Sequence, residues 1–146
     1  MSLSVISFTE NGLALAGKVR ETFTAEEVNL FTKCSFARES AEAVDLEEST
    51  VQWAGKQMEE GNALLFIGAC GIAVRAAAPW IKDKLHDSPV LVMDEMGHFV
   101  IPVLSGHMGG ANELAERISK VMGAVPVITT ATDLNRKFAV DLFAKR

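Results

Sequence analysis

"GNALLFIGACGIAVRAAA", residues 61–78, sets the fold. The run "ALLFIGA" shows no polar alternation, and a strand apolar on both sides belongs to a parallel sheet covered by helices on each face. Gly61 closes the preceding helix as a residue able to take positive φ. "CGIAVRAAAPWIKDKL" (70–85) then reads as a helix. Strand, glycine turn and helix make the βα step from which α/β domains are built.

Upstream the same alternation recurs. "LSVISF" (3–8) reads as a first strand and "NGLALAGKVRETF" (11–23) as a helix with Asn11 as its N-cap. "EVNLFTK" (27–33) is a second strand, residues 38–48 are polar and acidic and read as loop, and a helix spans Leu46 to Glu60. Downstream, "SPVLVMDEMGHFVIPVL" (88–104) reads as a hairpin turning over Asp94 to Gly97. Pro102 has no N–H to give a ladder, which places the second arm at a sheet edge. Ala111, Leu114, Ala115, Ile118, Val121 and Met122 recur at the spacing of one helix face, which Gly123 ends. "VPVITT" (125–130) is a short strand, and "DLNRKFAVDLFAKR" (133–146) begins a last helix or a tail. The expected fold is one three-layer, Rossmann-like α/β domain over residues 1–146, its mostly parallel sheet carrying an antiparallel edge hairpin.

Composition bounds the function. The 146 residues, 49% hydrophobic and 23% charged, suit one globular domain. A net charge of −5 argues against a nucleic-acid surface, which draws its affinity from clustered Lys and Arg. The longest apolar stretch, around Ala63 to Val74, is shorter than the roughly 20 residues of a bilayer span. "MSLSVISF" lacks the basic and long apolar regions of a secretory signal. Cys34 and Cys70 make neither a disulfide framework nor a recognisable metal spacing, so a reducing cytoplasm is expected and no metal site.

"IPVLSGHMGGANELAERI" (101–118) gathers Ser105, His107, Gly109, Gly110, Asn112 and Glu113 between an apolar run and a helix. A helix start offers free N–H donors and the positive end of the dipole, and paired glycines let a ligand approach the backbone. An anion site and a plain tight turn are both compatible with that pattern. His107 can act as base, acid, ligand or cap. Asn112 can orient a substrate group or cap the helix. Glu113 lies four residues before Arg117, and Glu116 four before Lys120, so both also fit surface ion pairs. Ser105 lacks the G-x-S-x-G setting of a nucleophile.

Two further clusters fall at strand ends, where open α/β sheets build ligand crevices. "GACGIAVR" offers Gly68 and Gly71, with Arg75 able to clamp a carboxylate. "TTATD" offers Thr129, Thr130, Thr132 and Asp133, as hydroxyl ligands or as a helix cap.

The stretch from Gly71 to Asp133 resembles the N-terminal domain of the cobalamin-biosynthesis G family, the cobalt-precorrin-5A hydrolases. "VRAAAP" (74–79), "VMDEMGHFVIPVLSGHMGGANELA" (92–115) and "PVITTATD" (126–133) together carry the resemblance. The half upstream resembles the family only in general plan. The resemblance implies a place in vitamin B12 synthesis: hydrolytic opening of the ring A δ-lactone of a cobalt-corrinoid substrate, with a two-carbon fragment lost as acetaldehyde. It implies no cofactor beyond the cobalt that the substrate carries. Water attack on a lactone needs a base and donors for the developing oxyanion. His107 is expected to activate water, the amides of Gly109 and Gly110 to hold the oxyanion or a peripheral carboxylate, and Asn112 to orient that group. Glu113 is the third catalytic candidate. Arg75, Thr129 and Thr130 are expected as carboxylate clamps, with Gly68, Gly71, Ser105 and Asp133 completing the binding set.

Members of that family continue into a middle segment and a C-terminal domain. The expectation is therefore an N-terminal component that works with that remainder in cis or in trans. The competing expectation is a non-catalytic corrinoid- or nucleotide-binding module, and a third is an interaction domain without a ligand. The oligomeric state stays open, a homo-oligomer included.

Overall fold

The first strand, β1 (Leu3–Ser7), and the strand of the opening stretch, β4 (Ala63–Ile67), lie side by side and parallel, with Leu3 opposite Ala63 and Ser7 opposite Ile67. This computed structural model describes residues 2–34, 43–105 and 110–131. Along the chain follow α1 (Glu10–Thr22), β2 (Val28–Thr32), β3 (Val44–Asp45), α2 (Thr50–Glu59), β4, and α3 (Cys70–Ala77) with a 3₁₀ turn (Ala78–Trp80). Then come β5 (Val90–Met93), β6 (Phe99–Leu104), α4 (Ala111–Met122) and β7 (Val125–Pro126). The strands form one sheet in the order β3-β2-β1-β4-β5-β6-β7, all neighbours parallel except β5 and β6. The expected three-layer, mostly parallel α/β fold is what the chain adopts.

Strand parity divides the core. Leu65, Ile67, Leu91, Met93 and Val100 face α1 and α4, meeting Ala16, Val19, Leu114, Ala115 and Ile118. Leu64, Phe66, Val90 and Val92 face α2 and α3, meeting Trp53, Ala54, Ala73 and Ala76. Trp53 sits edge-on to both Phe31 and Phe66, at 5.4 and 5.7 Å between ring centres, a preferred aromatic geometry.

Several boundaries differ from the sequence reading, each for a local reason. Thr9, not Asn11, caps α1, its hydroxyl accepting from Gly12 N at 3.0 Å. The second helix begins at Thr50 rather than Leu46, because Ser49 caps it while Leu46 N bonds to Thr32 O beyond β3. β3 itself lies in the stretch read as loop, of which residues 38–42 are outside the described residues. The helix from Cys70 ends at Ala77 instead of Leu85, since Pro79 lacks an N–H and its ring conflicts with a continuing helix. The hairpin turns as expected: Gly97 takes φ 71° and the Asp94 carboxylate accepts from His98 N and Phe99 N. The second arm is not the sheet edge that Pro102 suggested, because β7 lies beyond β6; Pro102 is tolerated there since β7 pairs only with Phe99 and Val100 and the ladder stops short of it. The stretch 133–146 lies outside the described residues. Among the described residues no helix is long and apolar enough to cross a membrane.

Candidate functional site

The reversal of β6 decides where the candidate residues go. In the parallel strands β1, β4 and β5, the ends at Ser7, Ile67 and Met93 share one edge of the sheet. β6 starts at that edge and finishes beside Val90, at the other one. Ser105, which follows β6, therefore lies at the amino edge of the parallel strands, whereas Gly68, Gly71 and Arg75 follow β4 at the carboxyl edge. Five strand residues rising ~3.3 Å each set the two clusters about 15 Å apart. The structure does not bring them into one crevice.

The amino-edge cluster is tightly tied. Ser105 adopts φ 60°, and its Oγ donates to Asp87 O at 3.0 Å. Its own carbonyl accepts from Ala111 N at 3.1 Å, so the chain on either side of residues 106–109 is clasped at the neck. Gly110 is the N-cap of α4 at φ 87°, and a Cβ there would meet nothing within 4 Å. Backbone conformation, not space, asks for glycine at that position. Gly110 O accepts from Leu114 N at 3.0 Å, which opens the helix.

Asn112 is buried in the first turn and donates from Nδ2 to Thr130 Oγ1 at 2.9 Å. With Gly110 as cap, Asn112 is a cross-link rather than a cap. Glu113 is exposed in the same turn, Thr130 is half-buried and Thr129 exposed. Arg117 lies over the Phe23 ring at 5.3 Å and reaches toward Glu26 at 3.9 Å, so of the two readings left open for Glu113 its contacts do not support the pair with Arg117. His107, Gly109, Thr132 and Asp133 lie outside the described residues.

At the carboxyl edge, Gly68 N donates to Met93 O at 2.9 Å, holding β4 to β5, while Gly71 and Arg75 are exposed on α3. These are the parts of an ordinary strand-to-helix turn, with the exposed Arg75 beside it.

A cavity of about 610 Å³ opens beside the amino-edge cluster, lined by Gly55, Lys56 and Glu59 of α2 and by Trp80, Lys82 and Asp87 among others. Trp80 Nε1 donates to Val51 O at 2.8 Å and its ring lies on Gly55. Asp87 accepts from Lys82 N through both carboxylate oxygens, at 2.9 and 3.1 Å, while its carbonyl receives Ser105 Oγ. One residue thus joins the cavity wall to the end of β6. His86, also on the wall, contacts Asp83 through Nδ1 at 2.8 Å. That hydrogen bond, reinforced by the amides of Leu85 and His86, holds the Asp83 carboxyl below its ordinary pKa. Sequence reading missed this wall because it extended the helix across residues 78–85; Pro79 was the available signal.

The residues 52–133 match the family model described as cobalamin synthesis G N-terminal, more than half of the chain and a span that holds the whole amino-edge cluster described above. The chain is 39% identical over 143 residues to the cobalt-precorrin-5A hydrolase of Salmonella typhimurium, covering 98% of this chain and 39% of that protein. It is 36% identical over 144 residues to the cobalt-precorrin-5A hydrolase of Priestia megaterium, covering 98% of this chain and 38% of the other. The chain thus spans about two fifths of these curated relatives. A crystal structure of a cobalamin biosynthesis protein G homolog from Sulfolobus solfataricus superposes with a TM-score of 0.62 at 23% identity, over 88% of this chain and 36% of that one, and so shares the fold. By its match over residues 52–133, the chain belongs to the cobalamin synthesis G N-terminal family.

Proposed function

We propose that this chain is the N-terminal component of a cobalt-precorrin-5A hydrolase, opening the ring A lactone of a cobalt-corrinoid with release of acetaldehyde. The observation that carries the reading is the family match across 52–133, together with the two relatives named for that activity. The cobalt enters with the substrate, and the setting is cytoplasmic, in keeping with two free cysteines, one buried and one exposed.

The site is assigned to the amino edge. There Gly110 opens α4, Asn112 and Thr130 lock its first turn, and the dipole of the helix favours negative charge. His107, four residues before the helix, is assigned as the base that takes a proton from water as its oxygen adds to the lactone carbonyl. The amide of Gly110 at the helix start, with that of Gly109 just before it in sequence, is assigned to receive the oxyanion, and collapse breaks the ring C–O bond to leave a carboxylate and a hydroxyl on the two-carbon fragment. Loss of that hydroxyl's proton then breaks the C–C bond to the macrocycle, which keeps the electron pair and takes up a proton, and the fragment leaves as acetaldehyde. Asn112 positions the bound group and Glu113 stands at the same turn. Ser105 supports the loop. Thr129 and Thr130 are assigned to substrate carboxylate or amide contacts on this side, and Asp133, which follows them in sequence, to the same binding set. Gly68, Gly71 and Arg75 can contact the same macrocycle only by spanning the sheet. The longer polypeptide of the relatives is assigned as the partner that completes turnover.

Acetaldehyde release from cobalt-precorrin-5A tests this, with this chain alone and with it joined to the remainder of the Salmonella protein. Release in either arm supports the reading. No release in both, with corrinoid still bound, moves the assignment to a binding module. His107→Ala is expected to lower release by about 10²- to 10⁴-fold with binding retained; unchanged release removes the base.

A further inference from the structure

On the α2/α3 side, helix packing is against β4 and β5, and β6 and β7 beyond them are packed by α4 on the opposite side. Parity says which residues are left uncovered. Val100 faces α4, so Phe99 and Ile101 face the other way. Val125 pairs with Phe99 in parallel register and shares its side, while Ile128 packs toward α4, which leaves Val127 on the side of Val125. Phe99 is 46% exposed and Val125 55%. Phe99, Ile101, Val125 and Val127 belong to neither core cluster.

Sheets of this kind are normally covered on both faces, and a contiguous exposed apolar patch marks an interaction surface. We propose that this face of β6 and β7 docks the C-terminal part of a full-length cobalamin synthesis G protein, through an apolar surface on that part. The inference rests on reading the chain as an N-terminal component. Three observations select that occupant. The matching family model is an N-terminal one. The Salmonella relative has only 39% of its length in the match, so well over half of it must pack elsewhere. β7 is the last described strand, and the chain that leaves it runs along this same patch.

The test uses thiol alkylation. In a Cys70→Ser background, which leaves only the buried Cys34, Val125→Cys is placed on the face and Lys18→Cys on the exposed side of α1 as control. Each is labelled with a maleimide in this chain alone and in the chain joined to the remainder of the Salmonella protein. Docking predicts that Val125→Cys reacts about tenfold more slowly or less in the joined protein, because packed interfaces exclude the reagent, while Lys18→Cys is unchanged. Equal rates at Val125→Cys in the two proteins overturn the proposal. So does protection already present in this chain alone with a dimeric sedimentation mass, which makes a second copy the occupant. Acetaldehyde release is measured separately on the unsubstituted joined protein. Protection without release keeps the docking face and rejects the activity, and release without protection does the reverse.

Discussion

Asn112 Nδ2 stands 2.9 Å from Thr130 Oγ1, so the first turn of α4 is bonded to the chain leaving β7. The two residues lie 18 apart in sequence and meet because β6 and β7 both run toward the amino edge. Asn112 is buried, so removing its amide leaves a polar neighbour without its donor. Asn112→Ala is expected to cost about 1–3 kcal/mol of stability in urea unfolding. Thr130→Val should cost less, and the double variant should fall short of the sum of the two, since contacting residues couple by ~0.5 kcal/mol or more. Strict additivity would show that the bond is not formed in solution.

Gly55 is the seat of Trp80. A Cβ on Gly55 would lie 2.5 Å from Trp80 Cε2 and 2.7 Å from Cζ2, and a ring whose Nε1 is bonded to Val51 O has little room to withdraw. Although alanine is the better helix former, Gly55→Ala is expected to destabilise by about 1–3 kcal/mol through overpacking. Tryptophan fluorescence should shift at the same time as Trp80 leaves its place. A stabilised variant with unchanged emission would place Trp80 elsewhere.

The Asp83–His86 contact makes a pH-dependent prediction. The Asp83 carboxyl is held below its ordinary pKa, first by the His86 hydrogen bond and then by the amides of Leu85 and His86. A depressed carboxylate contributes stability that is present above its unfolded value and lost as pH falls through the folded one. Side-chain NMR titration should find Asp83 the lower in the native protein, and His86→Ala should raise it toward ordinary aspartate. Because the pair is on the surface, the effect on unfolding should be small at every pH.

Much of this fold was legible because apolar pattern is a local property. "ALLFIGA" could only be a strand buried on both faces, and β4 is buried from Ala63 to Ile67. The Asp94 to Gly97 turn and the Gly123 stop were equally plain, since positive φ and side-chain capping are written in single residues. Boundaries failed where a neighbour competed: Thr9 took the cap from Asn11, and Pro79 cut short a helix whose apolar pattern ran on. The candidate site was half legible. Residue types announced Ser105, Gly110, Asn112 and Thr130, but only strand direction could say that Gly68 and Arg75 belong at the far edge. At the cavity wall Trp80 meets Val51 across 29 residues, which no local pattern encodes, while the Lys82–Asp87 bond is local and Pro79 alone signals the break in the helix that permits it.

The reversed strand also makes the two ends of the sheet energetically independent. Residues farther apart than about 7–10 Å and sharing no partner change free energy additively. Substitutions at Arg75 and at Asn112 should therefore add in unfolding, and in binding of any ligand that touches one edge alone. Non-additivity in binding, with additivity kept in unfolding, would mean that one ligand reaches both edges at once. The molecule thus carries its own ruler for the size of what it binds.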